Sequence, residues 1–206
     1  MCSNLDIVVC RHPEAIKDTI TPEGGMKAIA LTHWLMANDL EASCILHSNT
    51  GRTKQAAHYM AIAADLLNLH PKEEKAFNFM EIIRDRMKGN IMAMNENADE
   101  IITDGGTVRN ALSLNTYARR ARDHMRVILR MMALQMMSGE DRIAWVMSHG
   151  QLSEMAVTDE IKGDIPYGIA NCDAIHYKLN AADGEIIHSK YIPFSSIEEE
   201  EEEEED

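Results

Sequence analysis

Three short apolar runs constrain this chain more than any other feature. They are LDIVVC (5–10), ASCILHS (42–48) and the front of DRIAWVMSHG (141–150). Each is too short for a buried helix and is bounded by polar residues, which predicts strands buried on both faces. Helical spacing fills the sequence between them. In TPEGGMKAIALTHWLMAN, Thr21 is the expected N-cap, Pro22 the first helical residue, and Ile29, Leu31, Trp34 and Leu35 the apolar side. TGRTKQAAHYMAIAADLLN (50–68) reads as a second helix, and 108–137, with its methionine cluster, as a long third one. QLSEMAVTDEI (151–161) reads as a short helix, and 172–192 as two strands around an Asp183–Gly184 turn. Strands alternating with helices predict a three-layer α/β/α domain with a mainly parallel central sheet and some antiparallel pairing near the end.

In such a sheet, ligands bind beyond the carboxyl ends of the strands. The first strand ends on Arg11 and His12, the second on Ser48–Asn49–Thr50–Gly51–Arg52, and the late one on Ser148–His149–Gly150. Two arginines and two histidines therefore converge on one edge. Forked guanidinium donors match the oxygens of a tetrahedral oxyanion. A neutral imidazole between them is a nucleophile toward phosphorus, and a second imidazole stabilises charge on a nonbridging oxygen. Other phosphate chemistries lack their residues. The position six after Cys10 is Ile16 and that after Cys44 is Thr50, so no C-x5-R loop exists. There is no D-x-D pair, and the glycine pairs 24–25 and 105–106 lack a Walker lysine. A zinc site on His12, His47 and His149 is disfavoured by the adjacent arginines, and His47 reads as structural.

Charge and cysteine use bound the setting. Of the net −14, nine charges lie in the acidic run 198–206, leaving −5 for the other residues. That run repels itself and is expected to be a disordered tail, either solvating or docking a basic partner. The negative field argues against nucleic acid. No 18-residue apolar run and no signal-like N-terminus is present, so no membrane association is expected. Four scattered cysteines without CxxC spacing fit a reducing compartment, hence a cytoplasmic location.

The ordered set VVCRHPEA, TPEGGMKA, ILHSNTGRTKQAA and WVMSHG resembles the signature segments of the histidine phosphatase superfamily, which includes the phosphoglycerate mutases and small phosphohistidine phosphatases. The resemblance spans most of residues 5–195. It implies a single phosphoglycerate mutase-like domain over 1–197, with the helical part 75–137 as a lid. It further implies metal-independent phosphomonoester hydrolysis, without cofactor, through a phosphohistidine on His12. Arg11, Arg52 and His149 would form the phosphate pocket. The general acid would come from FNFMEIIRDR, as Glu81 or else Asp85, with Glu14 a further candidate. The substrate, a phosphorylated small molecule or a phosphoprotein, is not specified.

One position departs from the pattern. Pro13 stands where glycine is usual, which removes an N–H donor and fixes φ. Lowered activity or a low-turnover phospho-ligand binding module follows as an alternative, with Asn49 or Thr50 as substitute donors. A mutase-like phosphotransferase is the other alternative, with Arg84, Arg86 and Lys88 as extra basic residues around the pocket.

Overall fold

The structure is a computed structural model that describes residues 4–74, 106–114, 116–137, 142–150 and 152–197. Its strands are β1 (Asn4–Arg11), β2 (Ala15–Ile16), β3 (Thr19–Ile20), β4 (Cys44–His47), β5 (Lys72–Glu73), β6 (Ile143–Ser148), β7 (Ala174–Asn180) and β8 (Ile186–Ile192). Its helices are α1 (Pro22–Ala37), α2 (Gly51–Ala63), α3 (Val108–Leu114) and α4 (Thr116–Met137). Six strands form one sheet in the order β5-β4-β6-β1-β7-β8. The β5–β4, β4–β6 and β6–β1 pairs are parallel, while β1–β7 and β7–β8 are antiparallel. The predicted three-layer α/β fold, with its antiparallel closing pair, is the observed one.

The apolar runs lie in the middle of this sheet because both of their faces are covered. Alternate β1 side chains serve opposite layers. Ile7 and Val9 pack with Met125, Leu129 and Ala133 of α4. Val8 and Cys10 pack with Leu31 and Leu35 of α1 and Ala57 and Met60 of α2. Burying each such side chain contributes roughly 1.5–3 kcal/mol. The methionines at 125, 132 and 136 are therefore core, although Met131 on the outer face of α4 is exposed.

α1 begins as its sequence prescribes: Thr21 Oγ1 accepts from Gly24 N at 3.0 Å, and Pro22 opens the helix. Gly24 is needed there, because a Cβ would sit 2.6 Å from the carbonyl oxygen of Glu14. α2 stops at Ala63 rather than running to 68. Asp65 takes φ +55°, its N–H bonds back to Ile62 O, and Leu66 N bonds to Ala61 O, a Schellman close. The expected long helix over 108–137 is the pair α3 and α4.

The expected helix over 151–161 is not formed by the described residues there, which make turns. Leu152, Met155, Ala156 and Val157 are all buried, and Thr158 is tied to β8 through its N–H to Ser189 Oγ at 2.8 Å. The stretch 152–157 is buried at every residue and has no face to give to solvent, so its apolar residues do not mark a helical stripe. In the span 75–137, α4 is a wall of the core. Residues 75–105, with Glu81, Asp85 and the basic trio at 84–88, lie outside the described residues, as does the acidic run 198–206.

Candidate active site

The sheet order puts the carboxyl ends of β4, β6 and β1 side by side. Arg11 pairs in register with Ser148, and His12 N donates to Ser148 O at 3.1 Å. Ser48 N donates to Met147 O at 3.0 Å on the other flank. Adjacent parallel strands thus carry Arg11, His12, His149 and the start of α2 to one edge. The two imidazoles meet edge to face, with ring centroids 5.3 Å apart and planes at 72°.

The state of His12 follows from one contact. Its Nδ1 lies 2.8 Å from the carbonyl oxygen of Pro13. A carbonyl can only accept, so Nδ1 carries the proton and Nε2 the lone pair. Proline keeps its carbonyl, so Pro13 performs this orienting task as well as glycine would. Burial is the largest influence on the ring and lowers its pKa to about 4, with Arg52 and Arg11 acting in the same direction. His149 is also lowered to about 4, first by burial and then by His12, Arg52 and Arg11. Its Nε2 shares a 2.9 Å hydrogen bond with Ser48 Oγ, which in turn meets Thr53 Oγ1 at 2.9 Å. Both rings are therefore neutral at physiological pH.

Arg11 is fixed by the loop leading into β7. Its Nη1 donates to Ile169 O and lies 3.5 Å from Gly168 O. That loop is itself held by two buried carboxylates. Glu154 Oε1 accepts from Gly168 N at 2.7 Å, and Asp173 Oδ2 accepts from Ala170 N at 2.8 Å. Arg11 N donates to Asp173 O at 2.9 Å. The Nε atoms of Arg11 and Arg52 are both buried without a hydrogen-bond partner among the described residues, and so is Ser148 Oγ. Buried donors in that condition cost free energy unless a ligand satisfies them.

The remaining candidates are placed as follows. Glu14 pairs with Lys27 Nζ at 3.1 Å, on the side of α1. His47 turns its Nδ1 to Ser48 O at 2.7 Å and is structural. Thr50 is engaged as the N-cap of α2, its Oγ1 accepting from Thr53 N at 3.4 Å. Cys10 is fully buried, and its thiol is pushed up to about 12, which leaves no thiolate for nucleophilic work. Among the described residues, the carboxylate that acts electrostatically on both imidazoles is Asp18, which the sequence did not single out. It sits in the turn between β2 and β3 and reaches across to α2. The spacing EAI-KD-TI, two short runs around a two-residue turn, was its available signal.

No family model and no curated protein matches this chain. Solved structures do. A phosphoglycerate mutase from Bacillus anthracis str. Sterne superposes with a TM-score of 0.64 at 13% identity, covering 95% of this chain and 96% of that one. A mycobacterial glucosyl-3-phosphoglycerate phosphatase gives a TM-score of 0.55 at 12% identity, covering 92% and 98%. The protein histidine phosphatase SixA, complexed with tungstate, gives 0.54 at 13% identity, covering 94% and 99%. The chain therefore has the phosphoglycerate mutase-like fold that these structures share.

Proposed function

We propose that this protein is a phosphatase that hydrolyses phosphomonoesters through a phosphohistidine formed on His12. The observation that carries the reading is the tautomer of His12. The Pro13 carbonyl takes the Nδ1 proton, which leaves the Nε2 lone pair at an edge where two buried guanidinium Nε–H groups have no described partner. A phosphoryl group satisfies those donors, with its phosphorus in line with Nε2.

In the first step Nε2 attacks phosphorus, the P–O bond to the leaving group breaks, and an acid protonates the leaving oxygen. Arg11 and Arg52 hold the nonbridging oxygens. The Nδ1–H bond to Pro13 disperses the positive charge that the ring gains on phosphorylation. The entering anion offsets the arginine field on His149 and raises its proton affinity, so that it serves as a donor to phosphate oxygen. In the second step water attacks phosphorus, the P–N bond breaks, and the same group, now a base, takes the water proton. We assign that acid–base role to Glu81, with Asp85 as the alternative. Asp18 does not fit it, because its carboxyl is held below the usual range by the amides of α2 and is ionised at neutral pH.

No step in this scheme requires a metal. The substrate class follows the neighbours' own descriptions, a phosphorylated small acid or a phosphohistidine protein. The free thiols at 10, 44 and 172 fit the reducing cytoplasm. Among the described residues no helix is long and apolar enough to cross a membrane. Residues 1–197 are assigned to one domain, and a basic partner to the acidic run.

The test is hydrolysis of p-nitrophenyl phosphate in excess chelator by the wild type and His12→Ala. Turnover that survives chelation and drops at least about a thousandfold in the variant is expected for a lost covalent nucleophile. Equal rates in the two proteins would sink the reading. A folded wild type that binds phosphate without turnover would instead favour the binding module.

A further inference from the structure

The first turn of α2 is where an anion would be expected to bind, since its amides point toward the same edge as Arg52. Those amides are already taken. Gly51 N donates to Asp18 Oδ2 at 2.7 Å, and Arg52 N donates to Asp18 Oδ1 at 3.2 Å. Thr53 N donates to Thr50 Oγ1, and Lys54 N to Thr50 O at 3.1 Å. All four leading N–H groups of the helix thus have acceptors within the chain.

The contact with Asp18 is built in from both sides. Lys17, the residue before it, takes φ +59° so that the two-residue turn between β2 and β3 can present the carboxylate. This left-handed conformation is costly for a side chain other than glycine or asparagine. On the helix side, a Cβ at Gly51 would lie 2.6 Å from Asp18 Oδ2, so only glycine admits the carboxylate. Asp18 is also near enough to act on Arg52, His12 and His149.

We propose that Asp18 is an intramolecular occupant of the phosphate pocket, a carboxylate that holds the leading amides of α2 against an incoming oxyanion. Its charge opposes a phosphate dianion held by Arg52, so it weakens the hold on product phosphate and speeds its release. It tunes the affinity for phosphate and is not a proton donor. This inference rests on the phosphatase reading above, since it needs the oxyanion to sit between Arg52 and the two histidines.

The experiment is calorimetric titration of inorganic phosphate at pH 8 into the wild type, Asp18→Asn and Arg52→Ala, with melting curves for each. Asparagine keeps an acceptor for Gly51 N and removes the charge. Asp18→Asn is expected to bind phosphate about five- to tenfold more tightly, the worth of one unit charge removed near a dianion in a partly exposed site. In p-nitrophenyl phosphate hydrolysis it lowers KM and strengthens product inhibition by a similar factor. A helix cap alone would change the melting temperature and leave phosphate affinity where it was. If Arg52→Ala weakens binding but Asp18→Asn leaves it within twofold of the wild type, or weakens it, the proposal is overturned and the phosphatase reading stands. If phosphate binds neither the wild type nor Asp18→Asn, both fall.

Discussion

The two arginines of the site stand on walls built in opposite ways. Arg11 leans on the loop before β7, which two buried carboxylates hold from within: Glu154 is wholly enclosed and Asp173 nearly so. Arg52 stands at the start of α2, which an exposed carboxylate at a hairpin tip holds from outside. A buried carboxylate bonded to backbone amides is costly to move, because leaving it would strand both partners in the core. An exposed one exchanges its amides for water or another anion at little cost. One wall is therefore fixed and the other exchangeable, and on the proposed reading these are the two qualities that holding a phosphate and then releasing it require.

The largest expected effect breaks the fixed wall. Glu154→Ala removes the acceptor of Gly168 N inside the core and should cost about 3 kcal/mol of stability, read as a lowered urea midpoint. Arg11 then loses its support, so the activity of the fraction still folded should fall as well. Unchanged stability would mean that the loop is held by Asp173 alone.

The imidazole pair between the walls gives the next effect. Both native pKa values lie near 4, below the ordinary histidine value of 6.5. Between those limits the unfolded chain binds more protons than the folded one, so stability rises with pH through the window and levels off above about 6.5. Lowering the pH from 6.5 to 5 should cost on the order of 1 kcal/mol per imidazole. Urea midpoints against pH would show it, and a His12→Ala, His149→Ala double variant should flatten the slope in that range. A slope that persists in the double variant would place its source elsewhere.

The smallest effect sharpens the exchangeable wall. Gly51→Ala forces the Asp18 carboxylate off the helix start and should lower stability by about 1 kcal/mol, partly offset by the better helix propensity of alanine. A melting temperature equal to the wild type would mean the contact contributes nothing in solution.

Much of this site was legible because buried parallel strands write themselves as unbroken apolar runs. Where such a run stops on Arg11–His12 or on Ser148–His149, the stop marks the functional edge. The start of α1 was equally plain, since Thr21 and Pro22 have one use there. The helix ends were not. α1 and α2 close on Asp39 and Asp65 in the left-handed conformation, where glycine would have announced a stop. Residues 152–157 misled because burial on every side looks, in sequence, like the apolar side of a helix. Asp18, Glu154 and Asp173 stayed hidden for a related reason. Each binds a backbone amide well outside its own segment, Asp18 that of Gly51, Glu154 that of Gly168 and Asp173 that of Phe194, and an acidic residue in a polar stretch carries no local sign of such a partner.

Pro13 has a dynamic consequence. The carbonyl that holds His12 Nδ1 belongs to a residue whose φ is closed in a ring, so one of the two torsions able to swing that carbonyl is frozen covalently. The imidazole is tethered to an anchor that can scarcely rock, and the arc swept by its Nε2 is correspondingly narrow. Glycine at this position would leave both torsions loose and let the ring wander. The proline gives up an amide and in return steadies the aim of the ring.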